Sequence, residues 1–171
     1  MVVVYAGGHI SGAHYIPAVT LGILIRGKIS VGDSVKYWIV QFIGAAAAAF
    51  IVIYLLGDKV PTDSAMMTSP VKGMIAEFLG TFALVFVVLN TATAKGTEGN
   101  SFYGLAIGLT VTAMAFALGS FSGGAFNPGV ALGISLMHMA SWSDMWVYLI
   151  GSLGGALVAA FVFLMCNKND K

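Results

Sequence analysis

Four stretches of the chain stay apolar for about the 20 residues that a helix needs to cross a hydrocarbon core. They cover residues 35–56, 71–93, 102–121 and 145–166. The first is interrupted only by Lys36 at its edge and by Gln41; the second carries Lys72 at its edge and one internal acid, Glu77. The other two carry no charge. These runs are continuous rather than alternating, and they are rich in Ala, Leu and Gly. That pattern predicts membrane helices, which satisfy their own backbone in lipid, and not the strands of a barrel. Residues 1–8 are apolar but too short to span, and they lack the basic leading region and cleavage site of a signal peptide.

Two further apolar stretches, residues 16–25 and 128–139, are too short to cross. Each is headed by a proline (Pro17, Pro128) placed where a first helical turn tolerates a missing N–H. Asn127 stands at an N-cap position. Small-residue runs precede both, Ser11-Gly12-Ala13 and Ser122-Gly123-Gly124, where the chain turns at low steric cost. Short interrupted segments matched in two halves of a chain point to a transport site. Interfacial helices lying on the membrane are the plainer alternative, but neither stretch has their charged face.

Composition narrows the class further. Of 171 residues 58% are apolar, 9% are charged and 22 are glycine, against about 25% charged in soluble domains. With a mean hydropathy of +0.93, a soluble enzyme and a disordered tail are excluded. A net charge of +1 leaves no basic stripe for nucleic acid. Cys166 is the single cysteine, so neither an internal disulfide nor a multi-cysteine metal site is available, and nothing calls for a cofactor.

Shifting the sequence by 111 residues superposes its halves. Ser11, Gly12, Pro17, Val19, Leu21, Gly22 and Ile23 meet Ser122, Gly123, Pro128, Val130, Leu132, Gly133 and Ile134. The same offset then pairs Tyr37 with Tyr148, Gly44 with Gly155, Ala45 with Ala156, Ala49 with Ala160 and Phe50 with Phe161. Transporters are commonly built from such repeats. The chain therefore reads as one channel-like domain over 1–171, with a partial first repeat at 1–56 and a second at 71–166. Counterparts of residues 71–111 fall ahead of Met1, which predicts an N-terminally truncated chain or one starting at an internal methionine.

Residues 8–21, Gly-His-Ile-Ser-Gly-Ala-His-Tyr-Ile-Pro-Ala-Val-Thr-Leu, resemble the first signature loop of the aquaporin and glycerol-facilitator (major intrinsic protein) family. Residues 122–129, Ser-Gly-Gly-Ala-Phe-Asn-Pro-Gly, resemble the second. Glu77 and Gln41 also fall where that family has them. The resemblance implies an all-α membrane bundle with two re-entrant half-helices, here without the first helix and half of the second. It implies a homotetramer in the cell membrane, with the C-terminus cytoplasmic. Arg26, Lys28, Lys36, Lys95, Lys168 and Lys171 then lie inside, against Lys59 and Lys72 outside, a positive-inside bias. The implied activity is passive passage of water and other small neutral solutes, with no catalysis. Ions are rejected by the positive ends of two facing half-helices.

On that pattern the pore motifs are Ile16-Pro17-Ala18 and Asn127-Pro128-Gly129. The family has asparagine in both first places, so Ile16 removes one cap and one donor. Gly129 replaces an alanine. The outer constriction maps to Ala115, Gly124 and Val130, and Val130 stands where the family has arginine. The filter thus reads as wide, apolar and uncharged. Ala131 and Tyr148-Leu149 favour water, with glycerol, ammonia and peroxide as the alternative solutes that an open constriction admits. A non-conducting relative that only associates with intact subunits is the other alternative.

Glu77 is the one acid deep in a span. A functional role is the default for such a group, and the resemblance makes it a support for a loop rather than a proton relay. Gln41 reads as an interhelical hydrogen bonder. His14 lines the inner vestibule on the family pattern, where protonation would gate flow; satisfying loop carbonyls is the equal alternative. Gly104 with Gly108, and Gly151 with Gly155, have the spacing of close helix packing. A membrane hydrolase using Ser11 or Ser122 is disfavoured, because Gly8-His9-Ile10-Ser11-Gly12 lacks the spacing of a nucleophile elbow and no acid is placed to orient a base.

Overall fold

The computed structural model describes residues 1–61, 67 and 69–170, and every regular element among them is helical. Lys171 lies outside the described residues. The α-helices are α1 (Val2–Ser11), α2 (Pro17–Ile25), α3 (Val31–Leu56), α4 (Pro70–Ala92), α5 (Tyr103–Ser122), α6 (Pro128–Leu136) and α7 (Met145–Cys166). Four of them, α3, α4, α5 and α7, are long and apolar enough to cross a membrane. The chain is an integral membrane protein.

Local chemistry sets the ends. α3 begins at Val31, a turn earlier than hydropathy suggests, because the Ser30 hydroxyl accepts the Asp33 amide at 3.0 Å, a side-chain N-cap. α4 opens with Pro70 behind Ser69, whose hydroxyl accepts the Lys72 amide. The apolar start of the chain is itself a helix, closed at Gly12 in the left-handed conformation (φ 70°). α6 stops at Leu136 rather than 139, since His138 reverses the backbone (φ 58°) and the Met139 amide turns back to the Ile134 carbonyl.

The internal repeat is visible in the backbone. α2 and α6 are both nine residues long, and their bounds differ by the same 111 positions. Positive φ recurs at that offset in Gly12 and Gly123, Ala13 and Gly124, Tyr15 and Phe126, and Gly27 and His138. The Tyr37 hydroxyl donates to the Ser11 carbonyl, and the Tyr148 hydroxyl donates to the Ser122 carbonyl at 2.7 Å. One local fold is used twice.

The largest helix interface pairs α4 with α7. Lipid offers no hydrophobic drive between helices, so association rests on close van der Waals packing through small residues. Gly151 and Gly155 supply it. A Cβ on Gly155 would stand 2.4 Å from the Phe78 carbonyl oxygen, and one on Gly151 would stand 2.9 Å from that of Met74. Gly104 and Gly108 play the same part on α5, against Tyr5 and Met1. By contrast α3 buries only Ser34 and Ala49, and its Ile39, Ile43, Phe50 and Tyr54 are exposed, as is Phe116 of α5. Such faces suit lipid.

One end of the bundle is tied together by charge. Buried Arg26, just after α2, meets Asp170 of the C-terminal tail at 2.7 Å and lies over the Phe163 ring. The other Asp170 oxygen accepts the Lys95 amide at 2.8 Å, from the loop after α4. Lys59 and Lys72 lie at the far ends of α3 and α4, at the opposite pole.

Candidate pore

α2 and α6 are each about 13 Å long, so two in line reach about 27 Å, close to the thickness of a hydrocarbon core of about 30 Å. The middle of α3 brings their first turns together. The Trp38 indole donates to the Pro17 carbonyl at 3.1 Å, and the Gln41 amide donates to the Thr20 hydroxyl at 2.9 Å. On the same stretch, Gly129 of α6 packs against Ala45 and the Gln41 carbonyl, and α2 touches α6. Both N-termini therefore meet α3 within two turns, where their dipole ends add.

The two tips are built differently. Asn127 caps α6, its Oδ1 accepting the Gly129 amide at 2.8 Å, which leaves the side-chain NH2 free to donate. Ile16 holds the same extended backbone ahead of α2 but offers no side-chain cap. Pro17, Ala18, Pro128 and Gly129 are buried beneath the tips.

The loop ahead of α6 hangs on Glu77. Wholly buried in α4, its carboxylate accepts the Ser122 hydroxyl at 2.6 Å, the Ala125 amide at 3.0 Å and the Phe126 amide at 2.6 Å. Phe126 sits at φ 46° with its ring against Gly80. The loop ahead of α2 is held otherwise. His14 Nδ1 lies 3.3 Å from the Thr20 hydroxyl, and its ring rests 4.7 Å from that of Tyr37. With Gln41 this makes a polar chain across three elements. Burial lowers the His14 pKa below the ordinary imidazole range. Thr20 was not singled out by motif, and the role of Tyr37 and Tyr148 as loop anchors was signalled only by their shared offset.

Two large cavities border these parts. One, of about 1090 Å³, is lined by His14, Ile16, Val19 and Ile23 and by Leu84 and Val88 of α4. The other, of about 680 Å³, runs along α3 and takes in His14, Gln41, Asn127, Gly129 and Val130. His14 touches both. The constriction set is not gathered in either one: Val130 is 43% exposed on the α3 side, while Ala115 and Gly124 border neither cavity.

This arrangement of paired proline-headed half-helices, each entered through a left-handed loop, accords with the comparison of the sequence with known families. The family described as Major intrinsic protein matches residues 1–163. The chain belongs to that family. It is 41% identical over 166 residues to "Aquaporin TIP2-1" of Arabidopsis thaliana, covering 95% of this chain and 66% of that protein. It is 37% identical to "Aquaporin TIP2-3" of Zea mays over 158 residues, covering 91% and 63%. It is 35% identical to "Probable aquaporin TIP2-2" of Oryza sativa subsp. japonica over 173 residues, covering 98% and 69%. The chain thus spans about two thirds of the length of the curated relatives it matches.

Within the family framework, chemistry at the half-helix tips is limited to donors and dipoles. Among the described residues no cluster of His, Cys, Asp and Glu is set to hold a metal ion. What the tips offer is an asparagine NH2, backbone amides and two positive helix ends, which orient a neutral dipole and repel a cation.

Proposed function

We propose that this chain contributes to a passive transmembrane conduit for water, as one channel domain over 1–171 made of repeats 1–56 and 71–166. The observation that carries the reading is the meeting of two half-helix N-termini on the middle of α3, one capped by Asn127. Their field opposes cations and protons while neutral molecules pass. Asn127 is the side-chain donor at the crossing point. Ile16 makes the other tip apolar and leaves it without a side-chain cap. The proposed form is a homotetramer in the cell membrane with its C-terminus cytoplasmic; the gathering of Arg26 and Lys95 at the pole of the tail supports that orientation. No covalent step is needed, and the relatives' name, aquaporin, fits transport rather than catalysis.

Osmotic shrinkage of proteoliposomes, followed by light scattering beside a pH-sensitive dye sealed inside, tests this. Water flux above protein-free vesicles with no added proton leak is expected. Shrinkage no faster than in empty vesicles would overturn it. Val130, apolar and exposed on the cavity along α3, favours a second permeant class, neutral solutes larger than water, which a glycerol gradient in the same vesicles reads out.

A further inference from the structure

One end of the bundle already holds an anion from within the chain. Arg26 follows α2 and is buried, its guanidinium carbon 5.0 Å from the centre of the Phe163 ring of α7. Its Nη2 donates to one oxygen of Asp170 at 2.7 Å, and the Lys95 amide donates to the other at 2.8 Å. Donors from two loops, one after α2 and one after α4, thus converge on a single carboxylate beside the end of α7. A guanidinium keeps its charge however deeply it is desolvated, so this pocket requires an anion in every state of the protein.

The fit of that carboxylate is incomplete. An arginine fork presents its N–H groups in pairs that match a carboxylate or a phosphate. Asp170 takes one of them, and the buried Nε has no partner among the described residues. The occupant is also lightly tethered. Among the described residues, the tail at 167–170 hydrogen-bonds to other elements only through Asp170, since Asn167 bonds back to Phe163 and the Asp170 amide to Asn167. Positive charge at this end is in excess. Lys28, Lys95 and Lys168 form no ion pair among the described residues, and Glu98 is the one acid in the loop that carries Lys95.

We propose that the Arg26 pocket binds the phosphate group of an anionic lipid in exchange for Asp170. Basic pockets between membrane helices take lipid phosphates in this way, and a phosphate has oxygens enough for Nη2, Nε and the Lys95 amide together. The exchange releases the tail and leaves the charge of Arg26 matched. Lys28 and Lys95 also border the 1090 Å³ cavity, so the occupant stands at its rim.

The test places a donor dye on the exposed Cys166 of the chain in phosphatidylcholine nanodiscs. Phosphatidic acid bearing an acceptor on its acyl chain is titrated in, with phosphatidylcholine labelled in the same way as the background. Saturable energy transfer above that background is expected. Asp170 competes at the high effective concentration of a tethered group, so Asp170→Ala should tighten binding at least tenfold. Arg26→Met combined with Asp170→Ala removes the buried charges together and should return transfer to background. Where Asp170→Ala lowers helix content, Asp170→Asn, which leaves Arg26 an oxygen acceptor, carries the same comparison. Added inorganic phosphate separates the sources: competition makes the free anion a ligand as well, and its absence assigns the pocket to the lipid headgroup. The proposal is overturned if phosphatidic acid binds no better than phosphatidylcholine. It is equally overturned if removing the Asp170 charge leaves affinity unchanged, or if the double variant still binds as Asp170→Ala does.

Discussion

Replacing Glu77 separates its role as a loop anchor from any role in conduction. The carboxylate accepts three hydrogen bonds and is wholly buried. In Glu77→Gln the amide oxygen takes the place that serves Ser122 and Ala125. The NH2 then faces the Phe126 amide, donor against donor. One bond is lost and a buried N–H is orphaned, a cost of about 1–3 kcal/mol. Glu77→Leu orphans all three donors at about 1–3 kcal/mol each, hence about 3–9 kcal/mol, comparable with the 5–15 kcal/mol that typically holds a domain folded. Unfolding in mixed micelles with increasing SDS should therefore rank the chain above Glu77→Gln, and Glu77→Gln well above Glu77→Leu. The reasoning is refuted if Glu77→Gln unfolds with the parent, or if both variants lose the same amount.

Four other outcomes follow from the geometry. Ile16→Asn should supply the missing cap on α2, adding about 0.5–2 kcal/mol in the same unfolding assay and raising osmotic permeability by giving the apolar tip a donor. Val130→Arg, at a position with room for a long side chain, should depress glycerol flux in proteoliposomes more than water flux. His14 has its pKa lowered by burial, so below about pH 6.5 the unfolded chain takes up a proton that the folded chain resists. Stability present above that pH should fall as acid is added, and His14→Gln should flatten the thermal-unfolding profile between pH 7.5 and 5. Gly155→Leu should cost at least the 1–3 kcal/mol typical of overpacking, because its Cβ meets α4 backbone at 2.4 Å, while Gly44→Leu should be neutral in the same scan.

The long helices were legible because lipid imposes length and apolarity directly; α7 begins and ends where hydropathy places it. Ends set by side-chain chemistry moved: Ser30 drew α3 back to Val31, and His138 cut α6 short. The half-helices were legible from Pro17, Pro128 and the common offset, and Glu77 from its isolation in an apolar span. The polar chain through Thr20 was not, since a threonine inside a helix carries no signature until Gln41 and His14 are seen beside it. The Arg26–Asp170 contact was hidden for a similar reason, joining residues 144 positions apart. Tertiary proximity, not local pattern, creates both.

The claim on which the account rests is that both half-helix tips stand on the same two turns of α3. Paired cysteines in the Cys166→Ser chain test it in native membranes. A Cβ on Gly129 would lie 3.6 Å from that of Ala45, inside the about 3.5–4.5 Å spanned by a disulfide. Gly129→Cys with Ala45→Cys should therefore oxidise readily, and Thr20→Cys with Gln41→Cys in the same molecules should be bridged by a short bifunctional thiol reagent. Both links forming together is the predicted result. If either pair stays unlinked while an exposed single cysteine in the same preparation reacts fully, the tips do not meet there and the account is contradicted.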